Sequence, residues 1–265
     1  MTKSSAPAPI DKYALYVSAV QQPKVDVRFL RELYRELKGR APKLLREDFC
    51  GTFGVCCEWV KLGPDYRAYG RDLGSEPIQY GFEHSHSRLT PEQRSRVKIE
   101  RKDVLEPGGP KSDLIVAMNF SYFIFKKRAE LKAYFANGFK QLRPGGVLAV
   151  DCFGGGGIHR PNVERTVHPR FVYYWEQFDY DPVYNTAHCA IHFKPKGRKK
   201  FKNVFTYDWR LWSLAEIREL MAEAGFGKSH VYWEGGSGAE GDGKFARDEN
   251  GGMEEVWISL ILAEK

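Results

Sequence analysis

The sequence predicts an α/β fold, a mostly parallel sheet with helices on both faces, and three features predict it. Strand-like and helix-like segments alternate from residue 43 to residue 153. Two of the strand segments, "SDLIVAMN" (112–119) and "GVLAVDCF" (146–153), are near-continuous apolar runs, as expected of strands buried on both faces. Strict alternation of strand and helix is satisfied by parallel crossovers, which place helices over both sides of the sheet.

In chain order, residues 1–10 read as a disordered tail. Residues 11–42 form an N-terminal helical segment that serves as a lid. Within it "DVRFLRELYRELK" (26–38) puts Val27, Leu30, Leu33, Tyr34 and Leu37 on one stripe, with Asp26 as the cap and Gly39 as the stop. The core spans 43–153. "KLLRED" (43–48), "YRAYGRD" (66–72) and "VKIERKD" (97–103) read as strands. "GVCCEWVKLG" (54–63) and "SEPIQYGFEHSH" (75–86) read as helices, the second capped by Ser75 with Pro77 in its first turn. "KRAELKAYFANGFKQL" (127–142) is a longer amphipathic helix stopped by "RPGG".

The pattern changes after residue 153. "GGGG" (154–157) reads as a flexible connection, and it lacks the Lys-Ser/Thr continuation of a phosphate-binding loop. Aromatic, alternating segments over 170–209 predict an antiparallel sheet of about three strands, inserted over 154–212. Residues 213–265 supply a closing helix with a Ser213/Glu216 capping box and a terminal strand pair. The Gly- and charge-rich stretch 235–252 between those strands reads as a mobile loop.

Composition narrows the function classes. No apolar run approaches the roughly 20 residues that a membrane-spanning helix needs, and the N-terminus has no apolar signal segment. The five cysteines (50, 56, 57, 152, 189) contain no CxxC pair, so a reduced, cytoplasmic protein without a cysteine metal site is expected. His188 and His192 are four apart in a strand-like segment and read as structural or solvent-facing imidazoles. No metal site is expected. The net charge of +7 is concentrated in "KPKGRKKFK" (194–202), whose Gly and Pro suggest a solvated hairpin tip. Nucleic acid is therefore a possible partner and not the favoured one.

Parallel sheets bind ligands at the carboxyl ends of their strands. The residues there are Glu47 to Gly51, Asp72, Asp103, Asn119 and Asp151. "LLREDFCGTFG" (44–54) joins the first strand to the first helix, and its small residues let backbone approach a ligand. Asp72 ends the second strand about 20 residues on, the spacing at which an acidic side chain meets ribose hydroxyls.

Together these segments, with "LRPGGVLAVD" (142–151), resemble the class I S-adenosylmethionine-dependent methyltransferases. The likeness covers about 43–153 and extends to 213–263. "REDFCGT", "NFSY", "YDWRLW" and "VYWE" are similar to a subgroup of methyltransferase-like proteins without a secure substrate. The resemblance implies a Rossmann-like, mostly parallel seven-stranded sheet and S-adenosyl-L-methionine as cofactor. It places Glu47 at the acidic position of the first loop and Gly51 at its central glycine. Phe49 and Phe53 then stand where glycines are common. It further implies that Asp72 binds the ribose, that Leu73 flanks the adenine, and that Asp103 and Val104 face its edge. Cys50 and Phe49 complete the loop, Arg46 pairs with the cofactor carboxylate or is structural, and Tyr16 reaches over the cofactor. The main chain at Asn119 approaches the cofactor's amino group.

The acceptor side is read from "NFSY" (119–122), which keeps the Asn and Tyr of the Asn-Pro-Pro-Tyr corner of some amino-group methyltransferases without its prolines. Asn119 and Tyr122 are the catalytic candidates; Tyr122 is also a substrate-binding candidate, with packing as its alternative, and Asn119 has a local structural or cofactor-side role as its alternative. Trp175, Tyr207 and Trp209 are substrate-wall candidates that hold a cationic amine by cation–π contact, or else form an ordinary aromatic core. The expected reaction is methyl transfer to nitrogen of a small molecule. RNA or protein methylation through 194–202, and a non-catalytic cofactor-binding scaffold, are the alternatives. Oligomeric state is not legible.

Overall fold

A computed structural model describes residues 10–237, 240–252 and 254–265. All of the 1–10 tail except Ile10 lies outside the described residues. Helix α1 (Lys12–Val20) is capped by Asp11, whose carboxylate accepts the Ala14 N–H, and it buries none of its residues. Helix α2 (Pro23–Lys38) begins three residues before the expected start. Gln22 is its N-cap, Pro23 opens the first turn, and Asp26 lies inside that turn instead of capping it. Gly39 ends the helix in the left-handed conformation, as its sequence position suggests.

Strand β1 (Leu44–Asp48) is followed by the short helix α3 (Gly54–Trp59), β2 (Arg67–Asp72) and α4 (Ser75–His84). Gly74, not Ser75, is the N-cap of α4. After α5 (Pro91–Arg94) come β3 (Val97–Arg101), β4 (Ser112–Ala117), α6 (Arg128–Gln141) and β5 (Leu142–Gly154). An antiparallel sheet follows, of β6 (Asn162–Val167), β7 (Phe171–Gln177), β8 (Thr186–Pro195) and β9 (Phe201–Arg210). It has four strands where about three are expected. The extra one is β6, an edge strand whose residues are mostly exposed and so carry little hydrophobic alternation. Helix α7 (Leu214–Glu223), with the reciprocal Ser213/Glu216 capping box, leads to β10 (Lys228–Ser237), β11 (Glu240–Arg247) and β12 (Trp257–Glu264).

The large sheet runs β11-β10-β12-β5-β4-β1-β2-β3. Strands β3, β2, β1, β4 and β5 are parallel, β12 is antiparallel to β5, and β10 is antiparallel to β12. It has eight strands where seven are expected, because β11 pairs antiparallel with β10 out of the stretch read as a mobile loop. Successive residues of the central strands feed opposite cores. Leu45, Val116 and Ala149 pack with Val27, Leu30, Tyr34 and Trp59 of α2 and α3. Ile115, Leu148 and Val150 pack with Leu131, Phe135, Ile217 and Leu220 of α6 and α7.

The glycines after β5 are packed rather than loose. A Cβ on Gly154 would meet the Trp257 ring at 2.1 Å, and one on Gly155 would meet the Glu255 carbonyl oxygen at 2.4 Å. The N–H groups of Gly156 and Gly157 donate to the carbonyls of Glu254 and Glu255. This connection therefore fixes the small sheet to the segment entering β12. Gly155 also has φ +116°. Gly155→Ala combines a clash with a disfavoured backbone and should cost about 2 kcal/mol or more in urea denaturation. An unchanged midpoint would mean that the connection yields freely.

Candidate active site

The crossovers from β1 leave toward β2 on one side, and the chain returns to β4 on the other, so the β1/β4 boundary is the switch point of the sheet. Six non-glycine residues among those described have φ above zero, and Phe49, Phe53, Asn119 and Phe120 lie in the two loops that leave this boundary. The other two are asparagines, the residue type that best tolerates the conformation. A left-handed Phe costs about 1–2 kcal/mol. The first loop thus follows the path that glycine follows cheaply, with its rings taken up in packing. Phe53 is 0 % exposed and meets Phe82 edge-on, lying under Gly81, where a Cβ would come within 2.3 Å of it. Phe49 packs on Phe125 and Tyr134.

The loop backbone is tied to the tip of β2. The Gly51 N–H donates to Asp72 Oδ2 at 2.8 Å, and the Gly74 N–H donates to Asp72 Oδ1 at 2.7 Å. Beside it Leu73 is 61 % exposed, an apolar face left open to solvent. Asp103 accepts the Leu105 N–H at 2.8 Å. Val104 turns its side chain into the core and its carbonyl accepts the Asn137 side-chain amide at 2.6 Å, which leaves its N–H to face a ligand.

Three further carboxylates lie along this edge without a cationic partner among the described residues. Glu47 accepts the Cys56 N–H from the first turn of α3 at 3.1 Å, and burial raises its pKa to about 7, with Asp26 and Asp72 adding to the rise. Asp151, on β5, accepts the N–H groups of Phe120 at 2.8 Å and Asn119 at 2.5 Å, yet burial still raises it to about 7. Asp26 is raised to about 6, also by burial. The charge of Asp26 contributes to the rise at both Glu47 and Asp151, so the three share one region. Asp26 stands on α2 far from the strand ends in sequence, and only a chance choice would have found it.

Several expected site residues are placed elsewhere. Arg46 is 0 % exposed, and its Nε donates to Asp48 at 2.7 Å within the core facing α6, so it does not reach out to a ligand carboxylate. Cys50 is buried with its sulfur against Gly70, its N–H donates to the Arg71 carbonyl, and its carbonyl accepts the Phe53 N–H. Tyr122 is 0 % exposed. Its hydroxyl donates to the Asp151 carbonyl at 2.7 Å, and its ring meets Phe123 at 5.1 Å. Without prolines the chain turns into a 3-10 segment at Ser121–Ile124, and that turn folds Tyr122 under the edge. In this placement it packs beneath the strand ends and does not line the cavity described next.

Asn119, in contrast, lines a cavity of about 200 Å³. Trp175, Tyr207 and Trp209 line the same cavity, with ring centroids 4.5–5.6 Å apart. Phe120 from the turn after β4, Phe153 from β5 and Glu164 from β6 also line it, and none of the three stands out in the sequence. Tyr16 and Val20 line it from α1, and burial raises the Tyr16 hydroxyl to about 12. Helix α1 is held at two ends. Tyr16 rests on Phe205 of β9 at 5.0 Å, while Lys12 pairs with Glu76 at 2.8 Å and Asp11 accepts from Tyr80 at 3.1 Å, both on α4. It bridges the small sheet and the helix that follows Asp72.

The other singled-out features lie away from this cavity. His188 pairs with Asp179 at 2.9 Å, and His192 with Glu176 at 2.8 Å. No group of three or more His, Cys, Asp or Glu among the described residues is placed to hold a metal. The basic run forms the β8–β9 hairpin tip, with Lys200 over the Tyr174 ring at 3.9 Å. No described helix is long and apolar enough to cross a membrane.

No protein-family model matches the chain, and no curated protein sequence matches it. Solved structures do. An S-adenosylmethionine-dependent methyltransferase from Clostridium acetobutylicum aligns with TM-score 0.67 at 18% identity, over 95% of this chain and 97% of that one. CalS10, an amino pentose methyltransferase from Micromonospora echinaspora with its cofactor bound, aligns with TM-score 0.67 at 14% identity, over 98% and 99%. The chain has the class I methyltransferase fold. KedS8, a sugar N-methyltransferase from a Streptoalloteichus species, gives TM-score 0.62 at 16% identity, over 100% and 97%. These identities speak for the methyltransferase fold and leave acceptor and activity to be argued from the site.

Removing the Tyr122 hydroxyl tests its placement. Tyr122→Phe should lower stability by about 1 kcal/mol, the usual worth of a buried hydrogen bond, in a chemical denaturation series. Full stability with a loss of ligand binding would put Tyr122 back into the site.

Proposed function

We propose that the protein transfers a methyl group from S-adenosylmethionine to a nitrogen of a small molecule. The observation that carries this reading is the set of unpaired carboxylates, Asp26, Glu47 and Asp151, at the switch point of the sheet. Buried carboxylates without cations are costly, and a positively charged ligand relieves them. S-adenosylmethionine brings two positive charges, on its sulfonium and its α-ammonium, against one negative charge on its α-carboxylate. The residues present fit it. Asp72, which already holds the Gly51 and Gly74 N–H groups, has lone pairs left that would accept from ribose hydroxyls, exposed Leu73 would offer the adenine an apolar face, and Asp103 with the Val104 N–H stands beyond the next strand end. The left-handed loop from Phe49 to Phe53 brings main chain rather than side chain to the cofactor.

When bound, the cofactor supplies an electrophilic methyl group. The work of the chain is to hold an acceptor in line with it and to keep water out. Asn119 borders the cavity while its N–H is held by Asp151, so the turn after β4 stands between the carboxylate cluster and the acceptor cavity. Helix α1 acts as a lid across both. A free small molecule is favoured because the cavity is lined by α1 and the aromatic wall, and because the basic hairpin tip is part of neither. Nitrogen is favoured by the aromatic lining, which suits amines, and by the sugar N-methyltransferase among the similar structures. Five free, buried cysteines suit a reducing cytoplasm.

Calorimetry with S-adenosylmethionine tests the reading directly. Absence of binding at millimolar cofactor would end it. Asp72→Ala should weaken binding at least about tenfold, the scale of a lost charge-assisted hydrogen bond. The pH dependence has a definite sign. A cationic ligand favours ionised carboxylates, and groups with pKa about 7 are mostly protonated at pH 6 and mostly ionised at pH 8. Affinity should therefore rise about tenfold per carboxylate between those values. Glu47→Gln should flatten the profile, and a profile unchanged by it would remove Glu47 from the cradle.

A further inference from the structure

Strand β6 is an edge strand with inverted polarity. Its residues alternate between the two faces of the small sheet. Val163 and Val167, on one set of positions, are 53 % and 62 % exposed. Glu164, on the other set, faces the cavity. It stands directly opposite Trp175 in the β6–β7 register, and Trp175 in turn packs on Tyr207 and Trp209. An ordinary edge strand would turn its valines inward and its glutamate out.

The Glu164 carboxylate has no Lys, Arg or His partner among the described residues. Its hydrogen-bond partner there is the Asn162 side-chain amide, at 3.4 Å. Burial alone raises its pKa. The cavity therefore joins aromatic faces, which attract cations, to an unneutralised carboxylate. An apolar acceptor would leave that carboxylate desolvated and unpaired. An anionic one would be repelled.

We propose that this cavity is a recognition site for a small molecule carrying an alkylammonium group, in which Trp175, Tyr207 and Trp209 contact the group's alkyl shell and Glu164 supplies the opposing charge. This deepens the reading given under Proposed function and rests on it for the statement that the bound molecule is the methyl acceptor, a primary to tertiary ammonium that passes a proton to water before its freed lone pair takes the methyl group as the S–CH3 bond breaks. Glu164 is thereby a specificity residue, acting on which molecule enters.

Choline and its neutral isostere 3,3-dimethylbutan-1-ol are suitable probes, read by quenching of tryptophan fluorescence on the full chain. Choline should bind at least tenfold more tightly than the isostere. E164Q should shrink that ratio to threefold or less, and Trp175→Leu should weaken both probes. S-adenosylhomocysteine affinity, measured by calorimetry on the same variants, should stay at the parent value and so report an intact fold. Equal binding of the two probes by the parent protein would overturn the proposal. So would a choline preference untouched by E164Q, which would leave Glu164 as a charge that merely discourages edge-to-edge pairing. Choline binding without any S-adenosylhomocysteine binding would keep the ammonium site and remove the methyltransferase reading, so the two fail separately.

Discussion

The Asp151 carboxylate accepts the N–H groups of Asn119 and Phe120, and these two bonds hold consecutive left-handed residues at the end of the central strand. Each such residue costs about 1–2 kcal/mol, and each hydrogen bond to a charged group returns about 1.5–3 kcal/mol. The two terms are of one size, so the bonds to Asp151 offset the strain of the turn. The carbonyl of the same residue takes the Tyr122 hydroxyl. One position on β5 thus sets where the chain goes after β4, where Asn119 and Phe120 border the cavity, and why Tyr122 does not.

The inserted sheet and α1 depend on this arrangement in turn. Phe120 meets Phe153 at 4.7 Å and Trp209 at 6.2 Å, which ties the turn to β5 and to the small sheet at once. The crowded glycines at 154 and 155 hold that sheet against the entry to β12. Helix α1 then closes over this wall, with Leu15, Tyr16, Ala19 and Val20 partly buried against the core of the small sheet.

Much of this was legible in the sequence because apolar runs report burial. The central strands, the α7 cap and the acidic residues at strand ends follow from period and spacing. What stayed hidden has identifiable causes. Strand β6 is exposed and lies at an edge, so it lacks the alternation that marks a strand. Strand β11, "EGDGKFAR", has the glycines and charges of a loop and is held by pairing with β10. The start of α2 was masked by Asp26, which resembles a cap and instead lies one turn inside, where its carboxylate joins the cluster below. Backbone angles at Phe49 and Phe53 leave no mark on composition, so the loop looks unlike a glycine loop while tracing a similar path. Tyr122 shows the limit of motif spacing, because residues three apart are brought together or separated by the turn between them.

The cluster of Asp26, Glu47 and Asp151 has a consequence for the end of a catalytic cycle. A pocket that grips by charge must loosen when charge leaves, and methyl transfer would convert a sulfonium into a neutral thioether at that place. The spent cofactor would then be held by one positive charge instead of two, while the carboxylates take up protons to compensate. Such a site would tell its reagent from its by-product by charge, most strongly at mildly alkaline pH, where the carboxylates are ionised.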